Sequence, residues 1–170
     1  MNIFVTDDSP TISAQNLDNE RVVKMILEST QMLCTAINER GGTSPYKSTH
    51  VNHPSNVWAR ETQKNFLWLL KHAFALCSEY SRRYDKDHKC YNILKLIDQE
   101  DMYVYMPLGP LTPFANCAAN QSKGISFKHV ESPIEAYKQY LSARWDTDTI
   151  PPKWTGRPVP SFYKGIYAGN

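Results

Sequence analysis

Along residues 18–39 the apolar positions Val22, Ile26, Leu33 and Ile37 recur at helical spacing, and Val23, Met25 and Leu27 widen the stripe. Asp18 stands where an N-cap belongs, and Gly41-Gly42 where a helix stops. Polar Lys24, Glu28 and Gln31 share another face at i, i+4 and i+7, for which exposure to solvent is the plain account. A loop rich in Ser, Thr, Pro and His covers residues 43–53. Pro54-Ser55 then opens a longer helix to about Tyr84, with Val57, Phe66, Leu69, Leu70, Ala73, Cys77 and Tyr80 as its core stripe. Two long helices joined by a short loop pack antiparallel by default. Residues 91–97 give a short third helix. Ser132-Pro133 starts a last one, residues 134–145, with Ala136, Tyr137, Tyr140 and Leu141 facing in.

The remaining stretches carry weaker patterns. Residues 2–6 read as a short β-branched and aromatic strand, after which Ser9-Pro10 can cap a helical turn through Ile12. Residues 98–130, punctuated by Pro107, Gly109, Pro110 and Pro113, read as loop with one short strand at most. Residues 150–170 form a Pro-rich tail with Trp154, Phe162, Tyr163 and Tyr167. The fold class expected is mainly α: a single compact helical domain over residues 1–170, with a short N-terminal strand and an extended aromatic-basic C-terminal tail.

Composition narrows the classes. An apolar fraction of 41% and an aromatic fraction of 12% are those of a chain that buries a core. The longest strongly apolar run, residues 66–70, is far short of the roughly 20 residues of a membrane span. Residues 1–8 have neither the basic region nor the cleavage site of a signal peptide, so the expectation is a cytoplasmic protein. Cys34, Cys77, Cys90 and Cys117 are unevenly spaced and read as reduced structural thiols. A zinc site at His88 and Cys90 has no CxxC pair to complete it, and no metal or cofactor is expected. The formal charge of +2 is unevenly spread: residues 1–40 are net −3, residues 41–90 net +4 and residues 91–170 net +1. A basic middle suits a polyanionic partner.

Candidate chemistry collects in three places. His50, Asn52, His53 and Arg60 surround the start of the second long helix, where free N–H groups and the helix dipole attract an anion. Arg60, Lys64 and Lys71 continue along one helical face as a ridge that suits a nucleic-acid backbone. On the first helix the acids Glu20 and Glu28 flank the cations Arg21 and Lys24. A carboxylate beside cations stays ionised and can serve as a base, although i,i+4 pairing alone also explains the pattern. In the tail, aromatics interleave with Lys153, Arg157 and Lys164, the composition of a base-stacking surface and equally of a tail packed on helices. No phosphate-binding Walker loop, GxGxxG, GxSxG, HExxH or EF-hand pattern occurs.

Four stretches carry a resemblance: the start Met1-Asn2-Ile3-Phe4-Val5, the run from Arg21 to Glu28, the segment His50-x-Asn52-His53-Pro54 with Trp58-x-Arg60, and the end Phe162-Tyr163-Lys164-Gly165-Ile166-Tyr167-Ala168. Together they resemble phage and bacterial proteins related to the pyrimidine dimer DNA glycosylases of the endonuclease V type. The resemblance implies a phage-type helical enzyme that kinks double-stranded DNA and flips out a nucleotide. Its nucleophile would be the N-terminal amine, forming an imine with the sugar, helped by an acid on the first helix whose nearest counterpart by position is Glu20. Here Asn2 is too large for ordinary removal of the initiator, so that amine would belong to Met1.

Two other readings stand beside it. One is a transferase joining an amino acid such as glycine to 5-phosphomethyl-uracil in phage DNA, with the anion site near His50, His53 and Arg60 holding the phosphate or carboxylate. The other is a DNA-binding protein without catalysis. The site residues expected are Glu20, Lys24, His50 and His53 for chemistry, and Arg21, Asn52, Arg60, Lys64, Lys71 and Lys164 for DNA or anion binding. Glu20 lies about 30 Å along an ideal helix from the loop. For His53 to meet Glu20 and Lys24, residues 43–53 must run back along the first helix, which would leave the two long helices closer to parallel.

Overall fold

A computed structural model describes residues 1–169 of the chain. Six α-helices form its framework: α1 (Pro10–Gln15), α2 (Asn19–Glu39), α3 (Pro54–Ala59), α4 (Gln63–Tyr84), α5 (Tyr91–Gln99) and α6 (Pro133–Thr147). The one sheet among the described residues is a small antiparallel hairpin, β1 (Ala119–Asn120) with β2 (Ile125–Ser126), in which Ala119 faces Ser126 and Asn120 faces Ile125. The fold is mainly α, as the hydrophobic pattern requires. The α2 stripe of Val22, Met25, Ile26, Leu33 and Ile37 is buried, but Val23 and Leu27 lie on the solvent side, 37% and 36% exposed.

The expected helix from residue 55 to residue 84 is two helices. Thr62 adopts an extended conformation and its hydroxyl caps α4 by accepting from the Asn65 N–H at 3.0 Å. Before it, the Arg60 and Glu61 N–H groups close α3 onto the carbonyls of Val57 and Trp58. The buried Asn65 amide donates to the Trp58 carbonyl at 2.9 Å and so staples the two helices across the break. A straight helix would have no such use for Thr62 or Asn65. Val57, expected in the core, is turned outward by the break and is 37% exposed.

Helix directions follow from contacts at the ends. Arg83, at the C-terminal end of α4, donates to the Leu17 carbonyl and to Asn19 at the start of α2. Arg40, which closes α2, donates to the Arg60 carbonyl just ahead of α4. The two long helices are therefore antiparallel, and the expectation that they lie closer to parallel is overturned. The loop nonetheless runs backward along α2. Ser44 bonds the Cys34 carbonyl, Asn38 holds the Tyr46 carbonyl, and the Thr49 N–H reaches the Thr35 hydroxyl at 3.1 Å. Only short α3 then runs forward beside α2, and the chain reverses at residues 60–62.

Residues 2–6 do not form the expected strand. The Asn2 side-chain oxygen accepts from the N–H groups of Ile3 and Phe4, Phe4 has a φ of +57°, and the Thr6 N–H goes to the Ser13 hydroxyl. With the N–H groups of Ile3, Phe4 and Thr6 satisfied by side chains, the arm enters the core as a single buried segment, Ile3 to Thr6. The tail aromatics divide. Trp154 and Tyr163 are buried against Trp145 of α6, with ring centroids 4.9 and 5.2 Å away, whereas Phe162 and Tyr167 are half-buried. Trp154 and Tyr163 are thus core residues and cannot stack on a ligand. Cys34, Cys77 and Cys90 are buried thiols and Cys117 is half-buried.

His72 sits fully buried on α4, stacked against Trp68, with Nδ1 3.0 Å from the Pro10 carbonyl oxygen, to which it donates. Burial lowers its pKa from 6.5 to about 4. The unfolded chain therefore binds a proton that the folded chain refuses, and stability falls as pH drops from about 6.5 through 4. In urea unfolding, the loss between pH 7.5 and pH 4 should be about 3 kcal/mol smaller in His72→Leu than in the parent protein. Equal losses in the two proteins would acquit His72. His53 and His88, also lowered by burial, are common to both and cancel.

Candidate active site

The buried arm delivers the amino group of Met1 to the middle of α2, where it lies 3.3 Å from Glu28 Oε1. The Met1 side chain is 2% exposed and that of Glu28 17%. Glu28 Oε2 is buried and has no hydrogen-bond partner, an unmet acceptor beside an amine. The helical periodicity that put Lys24, Glu28 and Gln31 on one polar face is what aims the carboxylate here rather than into solvent. That spacing was the available signal for Glu28, and the exposure reading concealed it.

The backward loop and α3 bring His53 to the same place. Its Nδ1 caps α3 by accepting from the Ser55 N–H at 3.2 Å, which leaves the proton of the neutral ring on Nε2. Burial lowers the His53 pKa, the Met1 ammonium, His50 and Lys128 add to the lowering, and Glu28 opposes it. Behind the loop the fully buried Asn56 amide donates to the carbonyls of Thr49 and His50. That clamp holds His50 at a φ of +48°, with Nδ1 2.8 Å from the Thr49 hydroxyl and the side chain exposed. Cys117 closes the floor: its carbonyl accepts from Asn2 at 3.4 Å, and its sulfur is 3.7 Å from the Ser55 hydroxyl.

Glu20, Arg21 and Lys24 face a separate cavity of about 320 Å³, walled also by Phe4, Lys123, Arg144 and Asp148. Arg21 is buried there, pairing with Asp18 at 3.1 Å and Asp148 at 2.8 Å while its guanidinium lies 5.6 Å over the Phe4 ring. Arg144 and Lys123 also turn to Asp148. Burial pushes the Asp148 carboxyl up, but Arg21 and Arg144 outweigh it and hold the carboxyl below its usual value. Among the described residues Glu20 and Lys24 form no ion pair, so the i,i+4 pairing account of them does not hold. The residues expected to converge are thus divided. His53 lies within electrostatic reach of Glu28 and the Met1 amine, and Glu28 is two turns or about 12 Å along α2 from Glu20.

The binding residues are scattered too. Asn52 is exposed beside His53. Arg60 closes α3, and its guanidinium donates to the Val51 carbonyl at 2.8 Å. The helix break removes it from the face of α4 where exposed Lys64 and Lys71 lie, so the expected three-residue ridge is two residues long. Lys164 is exposed in the tail. The Met1 amine was anticipated through the family resemblance, whereas Cys117, Lys123, Lys128 and Asp148 were invisible as site residues, since only the folded chain brings them to α2. No cluster of metal-binding side chains occurs among the described residues, and no helix there is long and apolar enough to cross a membrane.

An amine, a carboxylate with a spare oxygen and a neutral imidazole, held together at the rim of the core, form a nucleophile with a proton acceptor beside it. Comparison with known proteins points the same way. No curated protein and no solved structure matches the chain significantly. The family model described as pyrimidine dimer DNA glycosylase matches residues 1–92, which hold Met1, Glu20, Lys24, Glu28 and His53. The match covers more than half of the 170 residues, and the chain belongs to the pyrimidine dimer DNA glycosylase family.

Proposed function

We propose that the protein releases a damaged or modified pyrimidine from double-stranded DNA, with the Met1 amino group as nucleophile and Glu28 as its proton carrier. The observation that supports this is the 3.3 Å approach of that amine to a carboxylate within the matched segment. Glu28 takes a proton from the ammonium, and the nitrogen lone pair attacks C1′ of the sugar. The C1′–N1 bond breaks, its electrons leave with the base, and Glu28 returns the proton to that base. An N–H proton then passes by way of Glu28 to O4′, which leaves C1′ with the electron pair of that bond and becomes the C4′ hydroxyl, while the nitrogen lone pair forms the C1′=N bond of a protonated imine. Removal of a 2′ proton to Glu28 lets the C2′–H electrons form a C2′=C3′ bond as the 3′ phosphate leaves with the C3′–O pair. His53, kept neutral by its surroundings, places no second positive charge beside the amine. Lys24 and the cavity at Glu20 lie one to two turns along α2, where the neighbouring part of the strand would rest.

Borohydride should trap the protein on abasic duplex DNA, with the adduct mapping to the peptide that contains Met1. Glu28→Gln should slow single-turnover base release by roughly 10²–10⁴-fold while duplex affinity stays within about twofold. No trapped species, or an adduct at another residue, would remove the amine from this role. Transfer of glycine to 5-phosphomethyl-uracil without trapping, seen by mass spectrometry of the DNA, would move the chain to the transferase reading.

Binding gives a separate expectation. Lys64→Ala and Lys71→Ala should each reduce the slope of log affinity against log salt by about one, at every duplex sequence tried. Two unchanged slopes in well-folded variants would take α4 out of the DNA interface.

A further inference from the structure

The loop at residues 106–112 is held to the α3–α4 break by a network of hydrogen bonds. The Gln63 N–H donates to the Pro107 carbonyl at 2.8 Å, and its side chain to that of Met106 at 3.3 Å. Thr62 donates to the Pro110 carbonyl at 2.9 Å. Thr112 is fixed on both sides, by Asn65 at 2.9 Å and by the Trp58 indole at 3.3 Å. Gly109 sits so close to Thr62 that a Cβ there would lie 2.8 Å from its methyl group. At the tip of this anchored loop Leu108 is 87% exposed, and Pro107, Pro110 and Leu111 beside it are exposed as well.

A leucine in water gives the folded state nothing, and a loop so tethered does not need it for packing. The surroundings indicate what it meets. Lys64 is exposed on the first turn of α4, and the exposed Arg40 guanidinium reaches the Arg60 carbonyl at the break. The nearby carboxylate of Glu61 is engaged by the Thr112 hydroxyl at 3.1 Å. From the break, α3 leads straight back to His53, six residues or about 9 Å away. A protein partner would need about 800 Å² per side, far more than one narrow tip provides. Leucine and proline at a rigid point among cations are what parts a base step in a duplex.

We propose that residues 107–111 form a preformed apolar wedge, with Leu108 as the side chain that enters between base pairs of the duplex held at the amine site. This rests on the DNA-directed reading above. Because the loop is ordered before binding, insertion carries little ordering cost of its own and depends on apolar contact rather than on charge.

The test uses the full chain and abasic duplexes carrying 2-aminopurine at successive positions from the abasic site. The parent protein should brighten the probe at one step a few base pairs away. Leu108→Ser, whose exposed site leaves thermal stability unchanged, should abolish that brightening and weaken binding roughly tenfold. Its salt dependence should stay the same, whereas Lys64→Ala changes it. Parent-like brightening and affinity in Leu108→Ser would overturn the wedge and leave the DNA reading standing, since the parent would still bind. No duplex binding by the parent would overturn both. A parent dimer in light scattering that Leu108→Ser makes monomeric would overturn the wedge in favour of contact between copies.

Discussion

The arrangement depends on putting the first residues of the chain inside the protein. Ile3 to Thr6 occupy the core between α1, α4 and α6, with Phe4 stacked on Tyr140 and edge-on to Tyr137. An unpaired extended segment in a core must satisfy its own polar groups. Asn2 and Ser13 do that work with side-chain atoms, and Phe4 accepts a left-handed conformation to make the turn. The amine is thereby held against α2 by the packing of its own chain. Glu28 answers it with one oxygen and leaves the other unpartnered, a cost that an active site bears and a plain ion pair would relieve.

The same helix is neutralised at its start by residues far away in sequence. Asp18 occupies the N-cap position without capping. Its carboxylate accepts instead from Arg21 and from the Trp145 indole at 2.7 Å, while Arg21 reaches on to Asp148. Charges this deep are tolerable only when fully paired. The pairing joins α2 to α6, and Arg21 and Asp148 make part of the wall of the cavity at Glu20 and Lys24. Glu79 plays a similar part on α4, gripping Arg83 and, at 2.6 Å, Arg157 of the tail. Much of the positive charge that looked free for a polyanion in the sequence is therefore committed to structure. The cations left exposed are mainly lysines, with Arg40 and Arg82.

Legibility in the sequence followed periodicity. α2, α5 and α6 were readable because their apolar stripes and caps are local properties, and α4 was readable over most of its length. The break at residues 60–62 was not, since Thr62, Asn65 and Trp58 look like ordinary helical residues until Pro110 and Thr112 arrive to bond them. The strand reading of residues 2–6 failed for a related reason: β-branched and aromatic residues suit any buried extended segment, with or without a ladder. The backward course of residues 43–53 was anticipated from loop length alone, but how far it runs is set by Ser44, Asn38 and Thr35, and that distance decides whether His53 lies near Glu28 or near Glu20. Tail aromatics could not be sorted into stacking and packing roles before Trp145 was placed among them.

The tie between Arg21 and Asp148 spans 127 positions of sequence. While the chain is being made, at roughly 5–20 residues per second, Arg21 and Asp18 must wait about 6–25 s for the residues that bury and neutralise them. Throughout that interval the start of α2 carries an exposed arginine and an uncovered aspartate beside an apolar stripe. The helices of the first ninety residues can form early, yet the wall next to Glu20 and Lys24 closes only when the last sixth of the chain arrives. Final assembly of this protein is thus a late, long-range event, slow by the measure of contact order. A chain released prematurely after α5 would keep every residue of the amine cluster except Cys117 and Lys128 and still lack the surface that secures it.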